Sequence, residues 1–275
     1  MKADKPLEMR AYGHIGHLPG SRMGPGDHRV HEGQGRICTV KARDRHDTII
    51  VQEKVDGSCV AVARLMDGHG TLIPLIRAGY PAVSSRFAQH HFFANWVWER
   101  MERFDFLQPG ERLVGEWLAQ AHSTRYNLPH EPFVAFDLMV GHDRATHEAF
   151  LERVLPHGFI TPHTVHTGGP LGLPRDLARP LSANYPEFPD SCLRLQFALL
   201  VIEEAMERVC SSSPHGAIDP IEGAVWRVER MGKVDFLAKY VRADKTDGIY
   251  LPDVSGSPEV WNWRPSKRGA GGVPT

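Results

Sequence analysis

Residues 48–58, TIIVQEKVDGS, join a strand pattern to a turn that carries a single lysine. The β-branched start is typical of a buried strand, and Lys54 follows it, with Asp56 and Gly57 directly behind. A glycine lets the backbone turn tightly and approach a ligand. Lys54 would then be presented from a rigid strand end. If an apolar pocket and neighbouring cations lower the pKa of its amine, Lys54 becomes a nucleophile.

A four-residue K-x-D-G pattern also recurs by chance in solvated turns, so it needs context. Five further short patterns supply that context, in a fixed order along the chain. They are RAG at residues 77–79, LVGEWL at 113–118, PFVAFDL at 132–138, IEGAVWR at 221–227 and VDFLAKYVR at 234–242. Four of these five read as strands, and the Arg77 pattern follows an apolar run.

In this order the patterns resemble motifs I, Ia, III, IIIa, IV and V of the covalent nucleotidyltransferases. That superfamily contains ATP-dependent RNA ligases, DNA ligases and mRNA-capping enzymes. The Phe136-Asp137 form of motif IIIa and the EGAVWR form of motif IV are most similar to the RNA ligases. DNA ligases more often carry Asp-Gly-Glu at motif III, where this chain has Gly-Glu-Trp around Glu116. The resemblance covers about residues 48–242.

The resemblance implies an α+β fold, the nucleotidyltransferase (ligase adenylation) domain, in which antiparallel sheets form an ATP cleft with flanking helices. Residues 48–242 would be the core. Residues 1–47, rich in Gly, Pro and His, would pack on the core or lead into it, and their composition favours turns. Residues 243–275 would be a C-terminal extension whose glycine-rich end is expected to be disordered.

The implied activity is an ATP-dependent RNA ligase that joins 5′-phosphate and 3′-hydroxyl ends. Lys54 would attack the α-phosphorus of ATP to give lysyl-AMP. The AMP would pass to the 5′-phosphate, and the 3′-hydroxyl would then displace it. Lys239 would contact the α-phosphate and Glu222 would hold Mg²⁺ or Mn²⁺, because carboxylates suit such cations. Asp56 would orient Lys54 or help to place the metal.

Five further residues are expected to bind the nucleotide. Glu116 would accept hydrogen bonds from the ribose hydroxyls, and it is also a candidate ligand of the metal. Phe136 would stack on adenine, and Arg77 would contact a phosphate. Gln52 and Glu53 would lie beside the adenine through their backbone groups. ATP rather than GTP follows from the resemblance alone.

One position departs from the family pattern. Motif V of many ligases has two lysines separated by one residue, whereas this chain has Leu237 before Lys239. Lys233 and Arg242 are nearby cations that are candidates to compensate. The departure keeps open a catalytically impaired protein that binds nucleotides or RNA ends. A DNA ligase or capping-type enzyme is the other alternative, but too few residues follow Lys239 for the oligonucleotide-binding barrel of those enzymes.

Composition adds constraints on partners and compartment. The net charge is −1, with 32 basic and 33 acidic residues, so RNA would contact a local basic patch. The four cysteines form no C-x-x-C pair, which favours a reduced, cytoplasmic protein. No apolar run has the length of a membrane span, so no membrane partner is expected. The 16 histidines are more typical of surface roles than of a metal site. Whether a kinase or phosphatase first heals the RNA ends stays open.

Three segments outside the motifs carry predictions of secondary structure. Residues 84–104 are expected to be helical, with Ser84 or Ser85 as the N-cap. Residues 156–189, rich in Pro and Gly, read as loops. Residues 190–209 have apolar side chains at helical spacing and are expected to form a scaffold helix.

Overall fold

Ten strands form two five-stranded sheets in the computed structural model, which describes residues 4–170 and 190–264, without the side chains of residues 190–194. The strands are β1 (Gly16–His17), β2 (Asp47–Lys54), β3 (Ser58–Arg64), β4 (Leu72–Ile76), β5 (Glu111–Trp117), β6 (Phe133–Val140), β7 (Asp143–Arg144), β8 (Thr164–Gly168), β9 (Gly223–Arg230) and β10 (Lys233–Val241). The first sheet has the order β1-β10-β9-β2-β8, and the second has the order β4-β3-β5-β6-β7. All pairs are antiparallel except β1 with β10. The prediction of an α+β fold with antiparallel sheets is confirmed.

Helices cover the outer face of each sheet. They are α1 (Glu32–Thr39), α2 (Ala88–Trp98), α3 (His147–Val154), α4 (Asp190–Ser212) and the single turn α5 (Pro252–Ser255). Helix α4 packs on the first sheet around Trp226, and α2 packs on the second sheet around Trp117. Among the helices that the structure describes, none combines the length and apolar character needed to cross a bilayer. The inner faces of the two sheets are left to line a cleft.

A three-residue turn carries the chain from the first sheet to the second. It joins Lys54, the last residue of β2, to Ser58, the first residue of β3. At Gly57 a Cβ atom would lie 2.4 Å from the carbonyl oxygen of Trp117, so only glycine fits this close approach. The glycine of the K-x-D-G pattern therefore allows the turn to pack against β5. The sequence had predicted that this glycine lets the backbone approach a ligand.

Two secondary-structure predictions need correction. Helix α2 begins at Ala88 with Phe87 as its N-cap, because Ser85 is extended and its hydroxyl contacts His90 Nδ1 at 2.6 Å. The rest of residues 84–104 includes a separate 3₁₀ turn at Met101–Phe104. Residues 156–189 are not all loop, because β8 pairs with the edge of β2. The part of that segment at 171–189, and the tail at 265–275, lie outside the described residues.

The scaffold helix is confirmed, since α4 covers residues 190–209 and extends to Ser212. Its apolar residues Val201, Ile202, Ala205 and Val209 are buried against the first sheet. The C-terminal segment also packs on the core, where Trp261 and Trp263 contact the apolar cluster under the second sheet. The C-terminal segment therefore contacts the core of the sheets that carry the motifs, as helix α4 does.

Candidate active site

Two adjoining compartments occupy the cleft between the sheets. One is largely apolar, has a volume of about 150 Å³, and is walled by Ile15, Val55, Phe136, Val225 and Leu237. The other is polar, has a volume of about 500 Å³, and is lined by His17, Arg22, Asp27, Asp56 and Glu222. Both compartments include Lys54, Cys59, Arg77, Glu116 and Lys239 in their walls. The four charged residues of this shared set are all among those that the motifs predicted.

Strand alternation decides which motif side chains reach the cleft. Successive side chains of a strand point to opposite faces of the sheet. Lys54 and Gln52 therefore face the cleft, whereas Val51 and Glu53 face away from it. Val51 packs in the cluster under α4, and Glu53 lies behind the strand, where its carboxylate accepts a hydrogen bond from Ser213 at 2.8 Å. Glu53 therefore borders the apolar compartment, and its carboxyl group points to the back of the sheet. This orientation is the one expected if Glu53 contacts a ligand only through its backbone.

Lys54 is surrounded by carboxylates in this structure. Its ammonium forms an ion pair with Glu222, and Glu116 and Asp56 add further negative charge. Burial alone would lower the pKa of Lys54, but the attraction of Glu222 and Glu116 outweighs it and raises the pKa above its ordinary value. A nucleophilic amine would require a pKa lowered by apolar surroundings and cations. That condition is not met in this state of the site, because acids, and not cations, are the nearest charged groups.

Glu116 lies at the end of β5, opposite Lys54. The backbone N–H of Gly57 donates to its carboxylate at 3.2 Å. Burial raises the pKa of Glu116 to about 8, and the Lys54 ammonium opposes that shift. This carboxyl group therefore stands where it can exchange hydrogen bonds with a hydroxyl group or approach a cation.

Phe136 and Arg77 contribute an aromatic face and a cation to the cleft. The ring of Phe136 meets Tyr12 edge to face, with centroids 5.1 Å apart, and both rings line the apolar compartment. Within the described part of the chain, the buried Nε atoms of Arg77 and Arg227 have no hydrogen-bond partner. Both arginines line this cavity, so it offers donors to a ligand as well as an apolar wall.

The N-terminal segment closes the polar compartment beside Lys239. Asp27 lies 3.6 Å from the Lys239 ammonium and 3.1 Å from His17 Nε2, and His17 Nδ1 lies 2.6 Å from the Ser21 hydroxyl. Burial and the nearby Lys54 charge lower the pKa of Lys239. None of the sequence motifs indicated a role for His17 or Asp27.

Asp56 does not hydrogen bond to Lys54, although the resemblance implies that it orients Lys54 or helps to place the metal. Its carboxylate accepts the backbone N–H of Ser123 at 2.7 Å and the ammonium of Lys245 at 3.1 Å. The backbone N–H of Asp56 donates to the hydroxyl of Tyr126 at 3.0 Å. The acid therefore fixes the turn that follows Lys54, and Lys245 is a partner that no sequence pattern indicated.

The acidic side chains of the cleft match the oxygen ligands that Mg²⁺ and Mn²⁺ prefer. Glu222 and Glu116 both line the polar compartment. No group of three or more His, Cys, Asp or Glu side chains that could hold a metal exists within residues 4–170 and 190–264. Magnesium is commonly held by one or two carboxylates together with substrate phosphates. The donor set therefore fits a cation that arrives with a nucleotide.

The two cations considered as substitutes for the missing motif V lysine do not reach the cleft. Lys233 is exposed at the start of β10. Arg242 forms an ion pair with Asp244 and lines a surface depression next to α4. Leu237 itself lies in the wall of the apolar compartment. Neither Lys233 nor Arg242 therefore compensates within this site.

The motif region of the chain matches a known family. Residues 47–241 match the family model described as RNA ligase. The chain belongs to the RNA ligase family. The resemblance seen in the sequence is thereby confirmed. No curated protein matches the chain.

Solved structures similar to this member of the RNA ligase family have low sequence identity to it. An archaeal ATP-dependent RNA ligase is 15% identical, with a TM-score of 0.44, over 85% of this chain and 48% of its own. A putative ATP-dependent DNA ligase from Aquifex aeolicus is 15% identical, with a TM-score of 0.47, over 84% and 49%. A Naegleria gruberi RNA ligase mutant solved with ATP and Mn is 14% identical, with a TM-score of 0.43, over 84% and 60%. The match spans about half the length of these proteins.

The buried carboxyl group behind Lys54 gives a testable pH dependence. Burial raises the pKa of Glu53 to about 7, although Ser213 donates to it, and His215 Nε2 lies 3.9 Å away. Because the folded state holds this proton more tightly than the unfolded state, the contribution of Glu53 to stability is fully present below about pH 4.3 and is lost as pH rises from there through 7. Glu53→Gln removes the charge and should stabilise the protein at pH 8 by about 1–3 kcal/mol.

Urea unfolding of wild type and Glu53→Gln at pH 5 and pH 8 measures this effect. Glu152→Gln, on the exposed side of α3, is the matched control and should leave the pH dependence of stability unchanged. An unchanged difference in stability between pH 5 and pH 8 in Glu53→Gln would show that the Glu53 carboxyl group does not cause it.

Proposed function

We propose that this chain is an ATP-dependent RNA ligase that forms lysyl-AMP at Lys54 and seals 5′-phosphate to 3′-hydroxyl RNA ends. One observation carries the proposal: Lys54 stands where an apolar compartment meets a polar one, with Glu116, Glu222 and Lys239 around it. Such a junction suits a nucleotide, whose base is flat and apolar and whose phosphates are anionic. Family membership and the order of the motifs support the same activity.

The two compartments suggest how ATP would lie. Phe136 would stack on the adenine in the apolar compartment, beside the backbone of Gln52 and Glu53. Glu116 would accept hydrogen bonds from the ribose hydroxyls. The phosphates would extend into the polar compartment, where Arg77 and Lys239 offer positive charge. The α-phosphorus would then come within reach of the Lys54 amine, which is the geometry that in-line attack needs.

Lys54 must lose a proton before its nitrogen can attack. The ion pair with Glu222 holds the amine protonated in this structure. Glu222, with Glu116 as a second candidate ligand, would hold a divalent cation, whose positive charge would neutralise the phosphate oxygens. Once the ammonium has released its proton to solvent in the polar compartment, the neutral amine would form the bond from nitrogen to phosphorus as the bond from phosphorus to pyrophosphate breaks. Lys239 would stabilise the charge that develops on the α-phosphate.

The later steps use the same groups on a different phosphate. The AMP would pass from Lys54 to the 5′-phosphate of an RNA end, and a 3′-hydroxyl would displace it to form the phosphodiester. We propose residues 48–242 as the core for this chemistry, in a cytoplasmic protein. A kinase or phosphatase that heals RNA ends would supply the 5′-phosphate and 3′-hydroxyl termini.

Labelling with α-labelled ATP tests the proposal directly. Purified protein incubated with this ATP and Mg²⁺ or Mn²⁺ should carry label through a denaturing gel. Pyrophosphate should discharge it, and nicked RNA with a 5′-phosphate should take it up and be sealed. A protein without label, after pyrophosphate has stripped any AMP already bound, would contradict the proposal. Sealing of DNA nicks in preference to RNA nicks would favour the DNA-ligase alternative.

A further inference from the structure

Lys245 is a buried lysine that lies just beyond the stretch matched by the family. Its residue is 7% exposed, and its ammonium donates to Asp56 Oδ2 at 3.1 Å and to Thr124 Oγ1 at 2.7 Å. Charged lysines are seldom buried to this extent unless they are paired. The family match ends at residue 241, so the pattern that assigns the motifs gives Lys245 no role.

The acid that Lys245 contacts controls the turn after Lys54. Asp56 Oδ2 also accepts the backbone N–H of Ser123 at 2.7 Å, so one oxygen joins three segments of the chain. These segments are the crossover between the sheets, the loop after β5 and the segment after β10. The loop after β5 is held in turn by Gly248, whose N–H donates to Ser123 Oγ at 2.7 Å. The position of Lys54 therefore depends on a contact that the C-terminal segment completes.

The segment after β10, which contains Lys245, is also hydrogen bonded to Glu222. The backbone N–H of Lys245 donates to the carbonyl of Arg242 at 3.2 Å, and the N–H of Arg242 donates to the carbonyl of Glu222 at 3.1 Å. Lys245 is thus connected on one side to the residue that pairs with Lys54, and on the other side to the turn that follows Lys54. A change at Lys245 is expected to reach both.

The charge of Lys245 also matters for an anionic ligand. Asp56, Glu116 and Glu222 all line the polar compartment, where a triphosphate would meet their negative charge. Lys245 neutralises one of these carboxylates from the protein side, without occupying the cavity. Lys54, Lys239 and Arg77 then remain to face the phosphates.

We infer that Lys245 is a positioning residue for adenylylation: it holds Asp56, and through it the turn that presents Lys54, and it balances the acidic charge of the site. This inference rests on the proposed function and adds to it a residue outside the motifs. Lys245 acts through Asp56 and does not touch the reacting atoms. Its removal should slow the attack of Lys54 more than it weakens ATP binding.

The test compares Lys245→Met with Lys233→Met, the same substitution at an exposed lysine of β10. Single-turnover formation of lysyl-AMP is measured over a range of ATP concentrations, below the melting temperature of each variant. Lys245→Met should lower the rate constant at saturating ATP by about 10- to 100-fold, while the half-saturating ATP concentration changes by less than about threefold. Lys233→Met should match the wild type in both quantities.

Lys245→Gln is the second variant, since glutamine can still donate to Asp56 and Thr124 and gives a folded protein if methionine does not. The same loss of rate is expected in it, because the positive charge is gone. A folded variant at position 245 that reacts within about twofold of the wild type, or that loses only ATP affinity, would overturn the inference. Failure of the wild type itself to form lysyl-AMP would be a different result, since it removes the proposed function and the inference with it.

Discussion

Lys54→Arg is expected to abolish covalent labelling by α-labelled ATP, a loss on the order of 10⁴-fold or more. A guanidinium group stays protonated at any working pH, so it has no lone pair with which to attack phosphorus. Its positive charge should still pair with Glu222 and Glu116, and the folded structure should therefore be kept. Denaturing gels after incubation with ATP and Mg²⁺ measure the label, and thermal melting checks the fold.

Lys239 is the rival nucleophile that this experiment must exclude. Its ammonium lies in the same compartment, and burial together with Lys54 lowers its pKa, which makes it the more easily deprotonated of the two lysines. Lys239→Arg should slow labelling without abolishing it, because a guanidinium group can still contact the phosphate. Label that persists in Lys54→Arg and disappears in Lys239→Arg would assign the covalent bond to Lys239 and refute the proposed role of Lys54.

The motif side chains could be placed from the sequence because each lies on or next to a regular strand. Alternation along β2 sends Lys54 to the cleft, and antiparallel pairing puts Gly223 opposite Lys54 and Val225 opposite Gln52. Glu222 therefore comes beside Lys54 as a consequence of register. The resemblance carried by the motifs indicated these residues, and the strand register explains why they meet.

The remaining walls of the site come from segments without periodic patterns. His17 lies on a two-residue strand paired with β10, Asp27 lies in the loop that follows that strand, and Lys245 lies in a turn after β10. Such contacts depend on long-range packing, which leaves no local signal in a single sequence. Strand β8 was missed for the same reason, since its five residues become a strand only against the edge of β2.

Arg227→Met is expected to destabilise the protein by about 1.5–3 kcal/mol, because the buried Asp137 loses one charged partner while it keeps the Tyr12 hydroxyl at 2.6 Å and Arg144 Nε at 3.1 Å. Arg227 on β9 is 2% exposed and forms an ion pair with Asp137 on β6, a residue with no exposed surface. It also donates to the carbonyl of Phe136 at 3.2 Å. The arginine thus joins the two sheets directly beneath the apolar compartment. Urea unfolding should show the loss as a lower midpoint.

Arg208→Met is the matched control, since its ion pair with Glu204 lies on the outer surface of α4 and should contribute only about 0.5 kcal/mol to stability.

A different result would indicate that Arg227 acts on the bound ligand and not on stability. Arg227 lines the cavity, and its buried Nε atom has no hydrogen-bond partner in the described chain. If Arg227→Met unfolds like the wild type but binds ATP more weakly, the guanidinium acts on the nucleotide and the ion pair adds little to stability. A large loss of stability, with adenylylation preserved well below the melting temperature, would instead establish that Arg227 holds the two walls of the cleft together.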